Sequence, residues 1–213
     1  EAMPVDYEGF VGGDRVYIEL PPLQKQLLEQ LHATGKPIVF VNMSGSAMAF
    51  PWADENVNAI LQAWYPGQAG GTAVADVLVG NYNPAGRLPV TFYRSTADLP
   101  HFEDYDMTNR TYRYFAGEPL YAFGHGLSYT SFDYSNLRVS EETLSSTITV
   151  SVDVSNVGGR AGDEVVQLYV AHPDSDGSQP LKSLRGFDRI TLLPGESQTV
   201  TFQLSRQDVS FWD

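Results

Sequence analysis

The apolar positions of this 213-residue chain follow two different periodicities, with an aperiodic stretch between them. In the first part, Pro21 and Pro22 suit an opening helical turn. Leu23, Leu27, Leu28 and Leu31 then recur at helical spacing before Gly35, which predicts an amphipathic helix over 20–35. The next apolar run, Ile38–Val41, is β-branched and aromatic without polar alternation, the pattern of a short strand buried on both faces in a parallel sheet. Ala59–Trp64 predicts a second strand, Gly70–Val79 a helix of small residues, and Leu88–Tyr93 a further strand after the turn Asn83-Pro84-Ala85-Gly86. Residues 1–93 thus read as α/β, with fewer strands than the five or six of a doubly wound domain, so the chain is expected to begin inside such a domain.

From Arg94 to Thr130 the periodicity disappears while aromatic residues accumulate, among them Phe102, Tyr105, Tyr112, Tyr114, Phe115 and Tyr121. A disordered linker is poor in aromatics, so 94–130 is expected to be an ordered connector packed on a neighbouring surface. From 131 onward the period becomes two: Ile148, Val150, Val152 and Val154 alternate with Thr147, Thr149, Ser151 and Asp153 before a turn at Gly158-Gly159. Strands at Glu164–Ala171, Leu184–Leu192 and Ser197–Leu204, separated by Pro173–Gln179 and Pro194-Gly195, predict an antiparallel sandwich over 131–213. Its last residues, Phe211-Trp212-Asp213, form an apolar pair without a closing strand, so the sandwich is expected to be truncated there. The fold class expected is α/β plus all-β.

Composition narrows the partners. Acidic residues outnumber basic ones 26 to 13, and a net charge of −13 opposes phosphate backbones and anionic lipid surfaces. Neither nucleic acid nor a membrane is an expected partner, and no run of about 18 apolar residues or signal-peptide pattern occurs. The absence of cysteine excludes disulfides, thiolate nucleophiles and zinc–sulfur sites, and His32, His101, His125 and His172 lack metal-ligand spacing. No metal and no cofactor is therefore expected. The glycines of Gly67-Gln68-Ala69-Gly70-Gly71 are followed by no Lys-Ser/Thr pair, which leaves close helix-to-strand packing as their reading. Trp52, Trp64 and Tyr65 present flat faces that suit a pyranose ring, although core packing accounts better for Trp64 at the end of a strand.

Five segments in this order resemble family 3 glycoside hydrolases of the bacterial β-xylosidase and β-glucosidase branch. They are Gly12-Gly13-Asp14-Arg15 with Ile18-Glu19-Leu20-Pro21, Trp64–Gly71, Asn83–Thr91, Arg110–Tyr114 and Phe123–Tyr129, and the stretches Asn156–Tyr169 and Leu184–Phe187 extend the likeness over nearly the whole chain. The resemblance implies an amino-terminal barrel, an α/β sandwich domain and a fibronectin type III-like domain. This chain would hold the later part of the second, over 1–93, the connector 94–130, and most of the third, over 131–213.

What the resemblance implies for chemistry is exo-acting, retaining hydrolysis of terminal β-D-xylosyl or β-D-glucosyl residues from oligosaccharides or aryl glycosides. That reaction needs two carboxyl groups about 5–5.5 Å apart. The family nucleophile is a barrel aspartate, so no residue here takes that role, and the barrel becomes a partner in cis or as a separate chain. The family acid/base is a glutamate in a Gly-Glu context shortly before the Gly-Asp-Arg segment. Aligning Gly13-Asp14-Arg15 places Glu1 at that position, with Glu8 in Tyr7-Glu8-Gly9 as the competitor because loop length varies there. Asp14 and Arg15 read as a local ion pair or cap, and His125 as a hydrogen-bonded structural residue. The family habit of export points to the periplasm or the medium. The competing reading is a non-catalytic stability or carbohydrate-binding module.

Overall fold

A computed structural model describes residues 15–140, 147–172 and 179–210. The chain forms two compact units, Glu1–Val74 with Pro89–Phe123, and Ala75–Leu88 with Gly124–Asp213. Among the described residues no helix is long and apolar enough to cross a membrane.

The first unit contains helix α1 (Pro22–His32), strand β1 (Val39–Asn42), helix α2 (Pro51–Asn56), strand β2 (Ala59–Gln62) and the start of helix α3 (Gly70–Leu78). β1 and β2 pair in parallel as expected, with Val39 opposite Ala59 and Asn42 opposite Gln62, but neither strand is buried on both faces: Val39 and Ala59 are exposed and Phe40 and Val41 half-buried. The chain before α1 runs alongside: Glu19 bridges Ala49 in the parallel sense, and the Ala49 amide donates to the Ile18 carbonyl at 2.8 Å. Phe40, Phe50, Trp64, Phe92 and Tyr121 close the core as edge-on and tilted ring pairs with centroids 5.4–6.2 Å apart. Of the four leucines on the predicted helix face, Leu28 is buried while Leu23, Leu27 and Leu31 are exposed.

Two local predictions differ from the structure. Leu88–Tyr93 is not a strand. Leu88 exchanges hydrogen bonds with residues 124 and 125, Phe92 pairs with Tyr121, and Pro89 between them has no amide to donate. Helix α2 escaped prediction because six residues opened by Pro51 are too few to show a helical period. The aromatic-rich stretch carries a 3₁₀ turn, Thr96–Asp98, capped reciprocally by Ser95 and Asp98, and helix α4, Thr111–Tyr114. Tyr93 meets Phe115 edge-on at 4.8 Å, and Tyr112 stacks on Phe123 at 4.2 Å.

The second unit contains strands β3 (Phe132–Val139), β4 (Ile148–Asn156), β5 (Gly162–Val170), β6 (Ser183–Leu192) and β7 (Ser197–Leu204), and helix α5 (Arg206–Val209). All strand pairs are antiparallel, one sheet ordered β3-β4-β7 and the other β5-β6. Val154 and Val200 from the first sheet meet Val166, Ile190 and Leu192 from the second, so the period-two pattern does place one face of each strand inward. Asn156, fully buried, is satisfied within this core: its Nδ2 donates to the carbonyls of Arg160 (2.7 Å) and Leu192 (3.0 Å), and its Oδ1 accepts from the Thr130 hydroxyl (2.7 Å) and the Gly158 amide (3.1 Å).

Gly126 is required by contact. A Cβ there would lie 2.1 Å from the Gly86 carbonyl oxygen, a backbone atom that cannot swing away, whereas one on Gly159 would meet nothing within 4 Å. Gly126→Ala is expected to lower stability by about 1–3 kcal/mol through overpacking, and Gly159→Ala to leave it nearly unchanged, as read from urea unfolding midpoints.

Candidate functional site

In open α/β sheets, ligands bind outside the carboxyl ends of the parallel strands. In the first unit those ends are Asn42 and Gln62, opposite one another in register. The Asn42 side chain, 5% exposed, donates from Nδ2 to Gln62 Oε1 at 2.6 Å and to Ser44 Oγ at 3.1 Å, and Ser44 Oγ donates to the Ser46 carbonyl at 2.8 Å. These bonds hold the turn that leaves β1 as a firm polar floor. The turn that leaves β2 is fixed from the same side, with the Ala63 amide donating to the Asn42 carbonyl at 2.9 Å.

Trp64 then takes a left-handed φ of 54°, unusual for a bulky residue, and its ring packs edge-on to Phe92 with centroids 6.0 Å apart. Trp64 is half-buried, packed at the margin of the core rather than inside it, and the next residue, Tyr65, is exposed. Tyr65 lies over Gly45: a Cβ on Gly45 would meet the Tyr65 Cε2 at 2.4 Å. Trp52 is also engaged in packing, edge-on to His32 at 5.7 Å.

The segment 15–20, which follows the residues singled out for acid/base work, is fastened to this end of the sheet. Arg15 Nη1 donates to Ser46 Oγ and its Nη2 to the Tyr17 carbonyl, each at 3.3 Å. The Glu19 carboxylate accepts from the Thr96 amide at 2.7 Å and the Thr96 hydroxyl at 2.6 Å, and the Ile18 amide donates to that hydroxyl at 3.0 Å. Burial alone would raise the Glu19 pKa, but the Thr96 hydroxyl and amide, with its own amide and that of Ile18, outweigh burial and hold the carboxyl below its ordinary 4.5. A folded value below the unfolded one stabilises above the unfolded pKa, and the contribution is lost as pH falls through the folded value. Stability should therefore fall as pH drops below about 4.5, and Glu19→Gln should flatten that fall when unfolding midpoints are followed against pH.

Glu1, Glu8 and Asp14 lie outside the described residues. The His125 carbonyl accepts from the Leu88 amide at 2.8 Å, which fits a structural place for this residue. Among the motif glycines, only Gly70 has a close neighbour, and that is Pro66 of its own turn, 2.3 Å from where a Cβ would sit. Gly67 and Gly71 meet nothing within 4 Å, so these glycines shape the turn into α3 rather than a close helix-to-strand contact. The polar floor of Asn42, Ser44 and Gln62 was missed in the sequence. The one local signal was the polar Asn42 closing an apolar strand run.

Residues 2–129 match the glycosyl hydrolase family 3 C-terminal domain, and residues 164–213 the fibronectin type III-like domain. Among relatives, the chain is 50% identical over its full length to a xylan 1,4-beta-xylosidase of Xylanibacter ruminicola, covering 24% of that protein. It is 42% identical over 93% of its length to a periplasmic beta-glucosidase of Salmonella typhimurium, covering 28%. Among solved structures, a β-glucosidase of Erythrobacter marinus superposes over 97% of this chain with a TM-score of 0.83 at 42% identity, covering 28% of that chain. Beta-glucosidase 3B of Thermotoga neapolitana in complex with α-D-glucose superposes over 90% with a TM-score of 0.81 at 36% identity, covering 29%. The four are named as a β-xylosidase or β-glucosidases, and the chain that resembles them joins a family 3 C-terminal domain to a fibronectin type III-like domain. The chain belongs to glycosyl hydrolase family 3, and it spans about a quarter of the length of these relatives.

Proposed function

We propose that the protein containing this chain is an exo-acting, retaining β-glycosidase that removes terminal β-D-xylosyl or β-D-glucosyl residues, with Glu1 as its general acid/base. The observation that carries this reading is the 50% identity, from end to end of the chain, with a protein named xylan 1,4-beta-xylosidase. In such a reaction one carboxylate attacks the anomeric carbon while a carboxylic acid protonates the departing oxygen. The same acid, now a carboxylate, takes a proton from the water that releases the sugar. The nucleophile belongs to a barrel domain outside this chain, and the α/β unit described above carries the acid/base segment to it. The firm attachment of residues 15–20, through Glu19 to Thr96 and Arg15 to Ser46, supports a fixed base for that segment. An exported location, in the periplasm or the medium, accords with the Salmonella relative's name.

The test is release of p-nitrophenol by the full-length protein from p-nitrophenyl β-D-xyloside and β-D-glucoside. Hydrolysis of either, with the β-anomer of the sugar formed first by NMR, is expected. A folded protein that hydrolyses neither would overturn the proposal, and first formation of the α-anomer would overturn retention.

A further inference from the structure

The loop 101–110 of the first unit is tied down more firmly than a solvated connection requires. Residues 101–109 are all exposed, yet the Arg110 guanidinium straps them from within. Its Nε donates to the Asp106 carbonyl at 3.0 Å, and its Nη2 to the carbonyls of His101 (3.1 Å) and Asp104. The carboxylates of Asp104 and Asp106 each accept the amide two residues on, at 2.9 and 2.7 Å. On both sides of Arg110 the backbone is left-handed, at Asn109 (φ 58°) and Thr111 (φ 56°), and for a β-branched threonine that is an outlier. The Tyr93 hydroxyl holds Thr111 there by accepting its amide at 2.8 Å, and Tyr93 is itself packed edge-on to Phe115. Such strain persists only where the surroundings over-determine it, and it gathers at active sites, clamps and switches. What the strapped loop presents is apolar: Tyr105 is 94% exposed, Phe102 51% and Met107 45%. Clustered exposed apolar side chains mark interaction surfaces. A tyrosine on a rigid base gives up little freedom on binding, and methionine adapts to an irregular partner.

We propose that loop 101–110 is a docking knob that seats in the part of the protein preceding this chain. The proposal rests on the reading above only for the identity of that part, a barrel domain. Two observations select this occupant. The polypeptide enters the unit through residues 15–20, and these are fixed to Thr96, whose hydroxyl accepts from the Ile18 amide at 3.0 Å and donates to the Glu19 carboxylate at 2.6 Å. Thr96 stands five residues before His101, at most about 18 Å of extended chain. This chain makes up only 24% and 28% of the two relatives named above, so a body larger than the unit itself would join it beside the loop. Charge excludes the obvious rival. A second copy would bring another −13 against the first, and the loop adds Glu103, Asp104 and Asp106 to that repulsion while Arg110 is spent on backbone carbonyls. The seat that suits the knob is therefore apolar at its centre, for Tyr105 and Met107, and neutral or basic at its rim.

The experiment uses the full-length protein in two forms, the wild type for hydroxyl-radical footprinting and Tyr105→p-benzoylphenylalanine for photocrosslinking. In the native wild type, Tyr105 and Met107 are expected to oxidise at roughly a tenth or less of their rate in urea, since a seated side chain is reached only when its seat opens. Illumination of the variant should join position 105, within one polypeptide, to peptides that precede Glu1. Oxidation of both side chains at close to the unfolded rate would overturn the proposal. So would crosslinks confined to this chain, or a product of twice the mass, which would seat the knob in a second copy. Footprinting needs no substitution, so a variant that fails to fold leaves the test intact. Crosslinks to the preceding part in a protein that hydrolyses neither aryl glycoside leave the docking standing and fail the glycosidase reading. Hydrolysis with Tyr105 oxidised at the unfolded rate does the reverse.

Discussion

Replacing Glu1 by Gln in the full-length protein is expected to lower kcat on a disaccharide by about 10²–10⁴, the usual worth of a positioned general acid/base. The loss should depend on the leaving group. A sugar alkoxide is a poor leaving group and needs the proton as the bond breaks, whereas a dinitrophenolate departs without one. Glu1→Gln should therefore spare the first step on a 2,4-dinitrophenyl glycoside far more than on a disaccharide. The second step still needs a base for water, so the glycosyl-enzyme should accumulate and appear as a burst of phenolate. A merely structural glutamate would depress every substrate alike and give no burst. Disaccharide turnover that barely changes in Glu1→Gln, and falls in Glu8→Gln, moves the assignment to Glu8.

The second large effect is on stability. In the sandwich-bearing unit, Arg87 Nη2 donates to Glu164 Oε2 at 2.6 Å, with the two side chains only 12% and 11% exposed, and the Tyr134 hydroxyl donates to Glu164 Oε1 at 2.8 Å. Arg87 Nη1 also donates to the carbonyls of Ala85 (3.3 Å) and Gly86 (3.2 Å), so one guanidinium ties the Asn83–Gly86 turn to strand β5. Arg87→Ala would leave the Glu164 carboxylate buried without its cation, at a cost of about 3–5 kcal/mol. Removing both charges together, as Arg87→Met with Glu164→Leu, should recover much of that loss, because a hydrophobic pair of similar volume suffers no desolvation. Urea denaturation of the two variants measures the difference. A loss below about 1 kcal/mol in Arg87→Ala would place the pair with ordinary surface bridges. Burial, with the Glu164 hydrogen bond and charge behind it, raises the Tyr134 pKa above its ordinary 10.0. Its contribution is thus fully present below pH 10 and lost only as the pH climbs through the raised value.

Exposed charge networks on the sandwich are a different case. Asp153 accepts from Arg138, Thr199 and Asn136, and these bonds push its pKa well below the carboxylate range, yet Asp153 is only partly covered and its Arg138 partner is exposed, so screening erodes the gain.

The sequence by itself determined which segments are helix and strand wherever a period could repeat often enough to be read. The alternating valines of β4 and the leucines of α1 are of this kind, since a residue's neighbours along the chain fix the face it presents. The five ordered motifs carried the family resemblance in the same local way, because the order of residue types along the chain is all that a motif needs. Only the tertiary structure decided what depends on partners far along the chain. Arg87 meets Glu164 and Glu19 meets Thr96, each 77 residues apart, and no periodicity encodes such a pairing. Leu88–Tyr93 has strand composition but no continuous partner strand, so it remains extended chain with a single bridge. Tyr65 reads as one more aromatic in a glycine-rich motif. Its exposure accompanies the left-handed Trp64 backbone and the contact of the half-buried Trp64 ring with Phe92, a partner far along the chain.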